Sequence, residues 1–381
     1  MKHSTEHAVR YDFLDWLRVI AIAVLLFYHT GMLFVGWDFH IQNAEVIAAL
    51  QRPMEVSHRL RMPLLFVIAG AGLWFAARRR TNGAVMAERT RRLLVPLVLG
   101  MFIIVPPQIY VERLWRGQWD GDYLSFLVER VLQLQPYPAG DFSWHHLWFI
   151  LYLYLYVPLL LPLLVVLKRV RSLQPGSWLY VLALPLGVNE ALLKPWFPVT
   201  HALIGDWYCF VHYLLLTAYG LLLASMPGSW DWLARYRTRS LMISTIVTGT
   251  LFALLDLGVV QRETAIESVL ANWFTWCWLL TALGYGRRYL SKDTPALRWA
   301  RDASYPIYIL HQTVMLLVAY WVIAQSYDPW TKYGIILTAT IVFSVALYEL
   351  GRRIAVTRLI LGMRPIRTEP RCERTIARDV S

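Results

Sequence analysis

Apolar residues in this chain gather in long runs rather than in alternation, and the runs match the length of a bilayer crossing. A helix spanning about 30 Å of hydrocarbon needs about 20 mostly apolar residues. Ten stretches fit: 16–35, 60–77, 93–111, 146–167, 178–193, 207–226, 240–260, 268–286, 305–324 and 333–350. The fifth is the weakest, broken by Pro185 and closed by Asn189, Glu190 and Lys194. The longest connections on the outer side are 36–59 and 112–145, too short to fold a core of their own. The pattern predicts an all-α polytopic transmembrane helical bundle of about ten spans, with both termini cytoplasmic. Residues 1–351 form the membrane domain and 352–381 a basic cytoplasmic tail. The first run exceeds a signal-peptide core and lacks a convincing small-residue cleavage site, so it is expected to be retained.

Composition agrees. Hydrophobic residues make up 57% and charged residues 16% of the chain, and the mean hydropathy is +0.44, outside the range of ordinary soluble domains. A net charge of +12 raises the question of nucleic acid, but the basic residues are distributed as topology signals. Segments on the N-terminal side of the membrane hold 27 of the 37 Lys and Arg, those on the other side hold 9, and Arg18 is the remainder. That asymmetry follows the positive-inside rule. Lipid is therefore an expected contact and nucleic acid is not. Cys209 and Cys277 lie in apolar runs and Cys372 in the tail; no disulfide framework and no metal-ligand spacing follows.

The first run is chemically unusual. It has Asp15 and Arg18 at its entrance and His29 deep inside, beside Tyr28. Ionisable groups at membrane depth are costly and mark functional sites by default. At about 100° and about 1.5 Å per residue, the eleven residues from Arg18 to His29 leave the two about 20° apart on one face and about 16 Å apart in depth. Asp15, three residues before Arg18, is placed to orient it through an ion pair. A second imidazole, His311, follows Tyr308 by three residues in the ninth run. Either the two histidines share a polar lumen or His311 makes a helix-to-helix hydrogen bond.

Other groupings carry two readings each. Arg89 and Arg92 share a helix face and are placed either to grip a phosphate or to anchor topology. The loop 112–145 mixes Trp115, Trp119, Tyr123, Tyr137 and Trp144 with Asp120, Asp122, Glu129 and Asp141. It suits an interfacial belt or part of a sugar-binding cleft. Gly70 and Gly72 permit close helix approach. His145 and His146 are adjacent and diverge by about 100° on a helix, so no metal is expected. Phosphate-loop, nucleophile-elbow and His-Glu-x-x-His motifs are absent from the sequence, which disfavours ATPase, serine hydrolase and zinc protease chemistry.

Five segments in order resemble the membrane acyltransferase 3 family: Asp15-Trp-Leu-Arg18 leading to Tyr28-His29; Pro63-Leu-Leu-Phe66 with Ala69-Gly70; Arg89-Thr-Arg-Arg92 before Leu93 and Pro96; Leu147-Trp148-Phe149; and Tyr305-Pro-Ile-Tyr308-Ile-Leu-His311. The Trp-rich loop after the third span is similar to the glucan-biosynthesis branch, which is associated with succinylation of periplasmic glucans. The resemblance implies an enzyme of the bacterial inner membrane that takes an acetyl or succinyl group from cytoplasmic acyl-CoA, its co-substrate, and places it on a hydroxyl of a saccharide. It makes His29 the base, with Arg18 its partner, and Arg89 with Arg92 the CoA-binding pair. Tyr308 and His311 complete the donor side, and Trp148, His146 and Glu55 are the expected acceptor contacts. Ala69 stands where Ser is common in the family, so no hydroxyl role is carried over there.

Two other classes fit the same residues. A secondary transporter of a glycan or organic acid would use His29 and His311 as a proton relay, although no repeat relates the two halves. A noncatalytic scaffold of an envelope-polymer complex would tolerate every one of these substitutions.

Overall fold

The computed structural model describes residues 11–169 and 173–364. Each apolar run is helical, and the described residues contain no strand, only an isolated bridge between Pro136 and Phe142. In chain order the helices are α1 (Asp12–Met32), α2 (Gln51–Ala77), α3 (Asn82–Arg89), α4 (Val95–Ile103), α5 (Pro106–Trp115), α6 (Tyr123–Glu129), α7 (Trp148–Leu160) and α8 (Leu163–Arg169). They continue with α9 (Ala183–Leu193), α10 (Trp207–Ser225), α11 (Ser229–Arg235), α12 (Arg237–Asp256), α13 (Ala265–Tyr289), α14 (Pro295–Val322), α15 (Pro329–Gly351) and α16 (Ala355–Ile360).

The chain is an all-α, multi-pass membrane protein. Seven of the ten expected crossings coincide with helices long and apolar enough to span a membrane. The fourth and fifth coincide with shorter apolar segments, His145–Leu160 and Ser177–Leu193, and the eighth with α13, which is not among the seven. Seven is the number that meets both length and hydropathy; ten is the sequence expectation.

Prolines set the breaks. Between α3 and α4 the chain makes a π-helical turn at Thr90–Leu94, just before Pro96. Pro96 has no N–H for the Arg92 carbonyl, and that oxygen instead accepts from the Tyr305 hydroxyl on α14, at 2.9 Å. At the next break, ahead of Pro106 and Pro107, the Ile104 carbonyl accepts from Thr313 Oγ1 at 2.6 Å. The third membrane segment is thereby tied to α14 at two levels.

Glycine permits one very close crossing. A Cβ on Gly70 of α2 would lie 1.9 Å from the Thr217 carbonyl of α10, and one on Gly220 would lie 1.9 Å from the Val67 carbonyl. Gly70 thus packs as expected. Gly72 does not, since a Cβ there would meet nothing within 4 Å; it faces a cavity instead.

The fifth run holds more than its polar end suggested. Asn189 and Glu190 sit within α9, both buried, facing α10 and α13. The tail also begins inside the fold: Gly362, just after α16, approaches Tyr305 and the Arg92 carbonyl. Arg367, Arg371, Arg374, Arg378 and Cys372 lie outside the described residues.

Candidate active site

The two intramembrane histidines meet. His29 Nδ1 on α1 is 2.7 Å from His311 Nε2 on α14. The ring planes are within 7° of each other with centroids 4.9 Å apart, as two imidazoles joined edge to edge must be. The proton positions follow from the next contact. His311 Nδ1 lies 2.6 Å from the Tyr308 carbonyl, which only accepts, so Nδ1 carries the hydrogen and Nε2 keeps its lone pair. His29 must then donate from Nδ1, which leaves His29 Nε2 as the unprotonated, basic nitrogen. A carbonyl on α14 therefore sets which atom of α1 can take a proton.

His311 is braced from below. His146 donates from Nε2 to the Ile309 carbonyl at 3.0 Å and accepts at Nδ1 from Gln108 at 3.2 Å. Tyr308 in turn donates its hydroxyl to the His146 carbonyl. His146 is buried with both nitrogens engaged, so it holds α14 in register rather than facing a ligand.

Tyr308, whose carbonyl holds His311, lines a cavity of about 560 Å³. Its walls include Arg18, Arg89, Arg92, Arg301, Arg352 and Arg358, and it runs inward to Phe149 and Tyr308. Asp15 bonds Arg18 at 3.3 Å and contacts Arg301 at 3.9 Å, which fixes the rim. Arg92 is tethered to Glu88 at 3.6 Å, while Arg89 Nε is buried with no hydrogen-bond partner among the described residues. A pocket so rich in guanidinium suits a polyanion such as the phosphates of CoA.

A second cavity, of about 570 Å³, lies between α2, α9, α10, α12 and α13. His58 lines it and shares a 2.9 Å hydrogen bond with Tyr28, the neighbour of His29. Arg59 bridges Glu190 at 3.5 Å and Glu267 at 3.0 Å, and Lys194 bonds Glu190 at 3.1 Å. Glu55 lines this cavity as expected for an acceptor contact. Trp148 does not line it but lies one layer beneath, its ring 4.0 Å from His201 and 5.1 Å from Tyr213, both of which do. Burial holds the His201 imidazole down at about 4, with Asp206 opposing and Arg61 adding to the shift, so this side chain is uncharged near neutrality.

The Trp-rich loop leaves Asp120, Asp122 and Glu129 exposed. Asp141 is buried between Arg113 and Arg130, each at 2.6 Å, and Trp119 packs edge-on against Phe126 of α6. Beside it, His40, Glu112 and His145 hold ligand-type atoms within 4.8 Å of one another. His40 is hydrogen-bonded to Glu112, whose other oxygen accepts from Tyr137 at 2.8 Å. Burial, then Glu112, pushes the Tyr137 hydroxyl up to about 12, which keeps it a donor. His145 and His146 do diverge: His145 stacks on His40 within this trio and His146 faces His311.

Sequence reasoning placed Arg18 and His29 on one helix face and named His311, Arg89, Arg92 and Glu55 as further site candidates. It did not find the Tyr28–His58 bond, the Gln108 brace or the Arg59–Glu190–Glu267 cluster. The clearest signal for the last was the pair of acidic residues left in or beside apolar runs.

The whole chain has known counterparts. A family model for the Acyltransferase domain matches residues 11–349. Curated relatives include Glucans biosynthesis protein C of Escherichia coli O81 (strain ED1a), 20% identical over 94% of this chain and 96% of its own length. Its namesake in Escherichia coli K12 (strain DH10B) is 19% identical over the same shares. No solved structure matches. With the family model covering nearly all of its length, the chain belongs to the acyltransferase 3 family and is an acyltransferase of the membrane.

Proposed function

We propose that this enzyme moves an acyl group, acetyl or succinyl, from acyl-CoA in the arginine-lined cavity to a hydroxyl of a cell-envelope saccharide in the outer cavity, with His29 as base. One observation carries the reading: each of the two cavities is lined by a residue that contacts the His29–His311 pair or its immediate neighbour. The arginine-lined cavity ends at Tyr308, whose carbonyl orients His311. The outer one reaches His58, which bonds the residue beside His29.

The chemistry is a balanced acyl transfer. His29 Nε2 takes the proton of the acceptor hydroxyl as its oxygen attacks the thioester carbonyl, forming a C–O bond. The tetrahedral adduct collapses, the C–S bond breaks, and the departing thiolate takes the proton back from His29. His311 holds the imidazole by its other edge throughout, in the manner of the orienting member of a catalytic triad. Carboxylates and aromatic rings lining the outer cavity suit sugar hydroxyls and the apolar faces of pyranoses. The relatives named for glucan biosynthesis support a saccharide acceptor. The positive-inside distribution supports a bacterial cytoplasmic membrane with the arginine cavity facing inward.

Purified protein with acetyl-CoA or succinyl-CoA and candidate glycans tests the reading. Release of free CoA with a matching mass gain on the glycan is expected. CoA release that never depends on a glycan, or glycan transport without modification, would overturn it.

A further inference from the structure

Two arginines two residues apart on α2 meet opposite fates. Arg59 is compensated by Glu190 and Glu267. Arg61 is only 7% exposed, and its Nε and Nη1 are buried with no hydrogen-bond partner among the described residues, nor does any described carboxylate pair with it. Its guanidinium carbon lies 3.2 Å from the centre of the Tyr28 ring. A cation–π contact offsets part of a buried charge, yet a desolvated guanidinium without an anion costs far more than such a contact returns.

One turn earlier on the same helix face is Ser57, whose Oγ is likewise buried and unpartnered. Both residues line a third cavity of about 790 Å³, walled mostly by apolar side chains such as Ile20, Val24, Leu60, Leu64 and Trp278, with the Arg52–Asp256 ion pair, 2.6 Å apart, as its other charged lining. An apolar trough with two orphan donors at one place is a site for a ligand with a hydrocarbon body and a single negatively charged oxygen.

We infer that Ser57 and Arg61 form the anion-binding pocket for the acyl group. This inference rests on the acyl-transfer reading and extends it. The guanidinium stands against Tyr28, whose ring is 5.6 Å from that of His29, so a negatively charged oxygen on the acyl moiety falls within its reach. That oxygen has two sources. It is the oxyanion that develops on the thioester carbonyl, common to every acyl donor, or the free carboxylate of a dicarboxylic acyl chain. In either case the apolar trough holds the carbon skeleton. An anion bound there compensates the buried guanidinium.

Arg61→Met and Ser57→Ala test this in the full-length protein, with two readouts. The first is thermal unfolding with and without sodium acetate or sodium succinate. Arg61→Met should have a Tm equal to or above the native value, because it removes an uncompensated charge, and carboxylate should raise the Tm of the native protein but not of the variant. A lower Tm in Arg61→Met, or equal carboxylate effects on both proteins, overturns the site. This readout does not require turnover, so it stands apart from any failure of the acyl-transfer reading.

The second readout is transfer from acetyl-CoA and from succinyl-CoA. A loss of about 10²-fold or more with both donors assigns the pocket to the oxyanion. A loss confined to succinyl-CoA assigns it to the carboxylate. Unchanged rates with both overturn the proposal. Ser57→Ala should show the same pattern at smaller size.

Discussion

His29 and His311 sit 282 positions apart in sequence and 2.7 Å apart in space, joined Nδ1 to Nε2. Because the Tyr308 carbonyl holds the hydrogen on His311 Nδ1, the pair has one permitted proton arrangement, and it presents His29 Nε2 as the base.

This arrangement separates the two histidines by function. His29→Gln should lower kcat by about 10²- to 10⁴-fold while leaving the KM for acyl-CoA near the native value. His311→Gln keeps an acceptor for His29 Nδ1–H and should retain more activity than His311→Ala. Steady-state kinetics of CoA release checks both; equal losses for Gln and Ala at position 311 would remove the orienting role.

Arg89 and Arg92 line the inner cavity with five further arginines. Each charge-assisted hydrogen bond to phosphate contributes about 1.5–3 kcal/mol. The double substitution Arg89→Ala with Arg92→Ala should therefore weaken acyl-CoA binding by at least about tenfold, with a shallower salt dependence than the native protein. Calorimetric titration with CoA at two ionic strengths reads this directly. Unchanged affinity would leave the pair as topology anchors.

The two neighbouring glycines of α2 should behave oppositely. Gly70→Ala drives a methyl group into the Thr217 carbonyl and should destabilise the fold by about 1–3 kcal/mol or more, since backbone cannot step aside cheaply. Gly72→Ala meets no atom within 4 Å and should leave Tm unchanged. Its methyl projects toward the arginine cavity, so any effect appears in the KM for acyl-CoA. Thermal unfolding followed by tryptophan fluorescence distinguishes the pair.

His201 makes the outer wall sensitive to acid. In the folded protein burial keeps its imidazole neutral, with its titration lowered to about 4, whereas an unfolded histidine titrates near ~6.5. Below the higher value the unfolded chain binds a proton that the native chain does not, so the histidine's contribution is whole above about pH 6.5 and fades as pH falls toward about 4. Tm should drop across that window, and His201→Gln should reduce the drop. An identical pH slope in the variant would assign the acid sensitivity elsewhere.

Much of this was readable before any coordinates. The helical class and the membrane setting follow from apolar runs, because a helix is the arrangement that satisfies the backbone within one segment of hydrocarbon-spanning chain. Arg18 and His29 were placed on one face by helical period alone. The site's second half was harder. His311 and the Arg89–Arg92 pair stood out as polar residues in or beside apolar segments, but their roles had two readings each, since an isolated helix does not say which face meets a partner.

By itself, the sequence determined what each helix could carry: its length, its polar face, its proline breaks and the cost of any charge left inside. Only the tertiary structure decided which of those costs were met. It set Glu190 and Glu267 against Arg59 and left Arg61 with no anion. It turned His146 into a brace and His145 toward Glu112. It also assigned the proton between His29 and His311 through a carbonyl that has no side-chain signature at all. The physical reason is that pairing energies depend on separations of a few ångströms between distant segments, and those are fixed by packing rather than by local period.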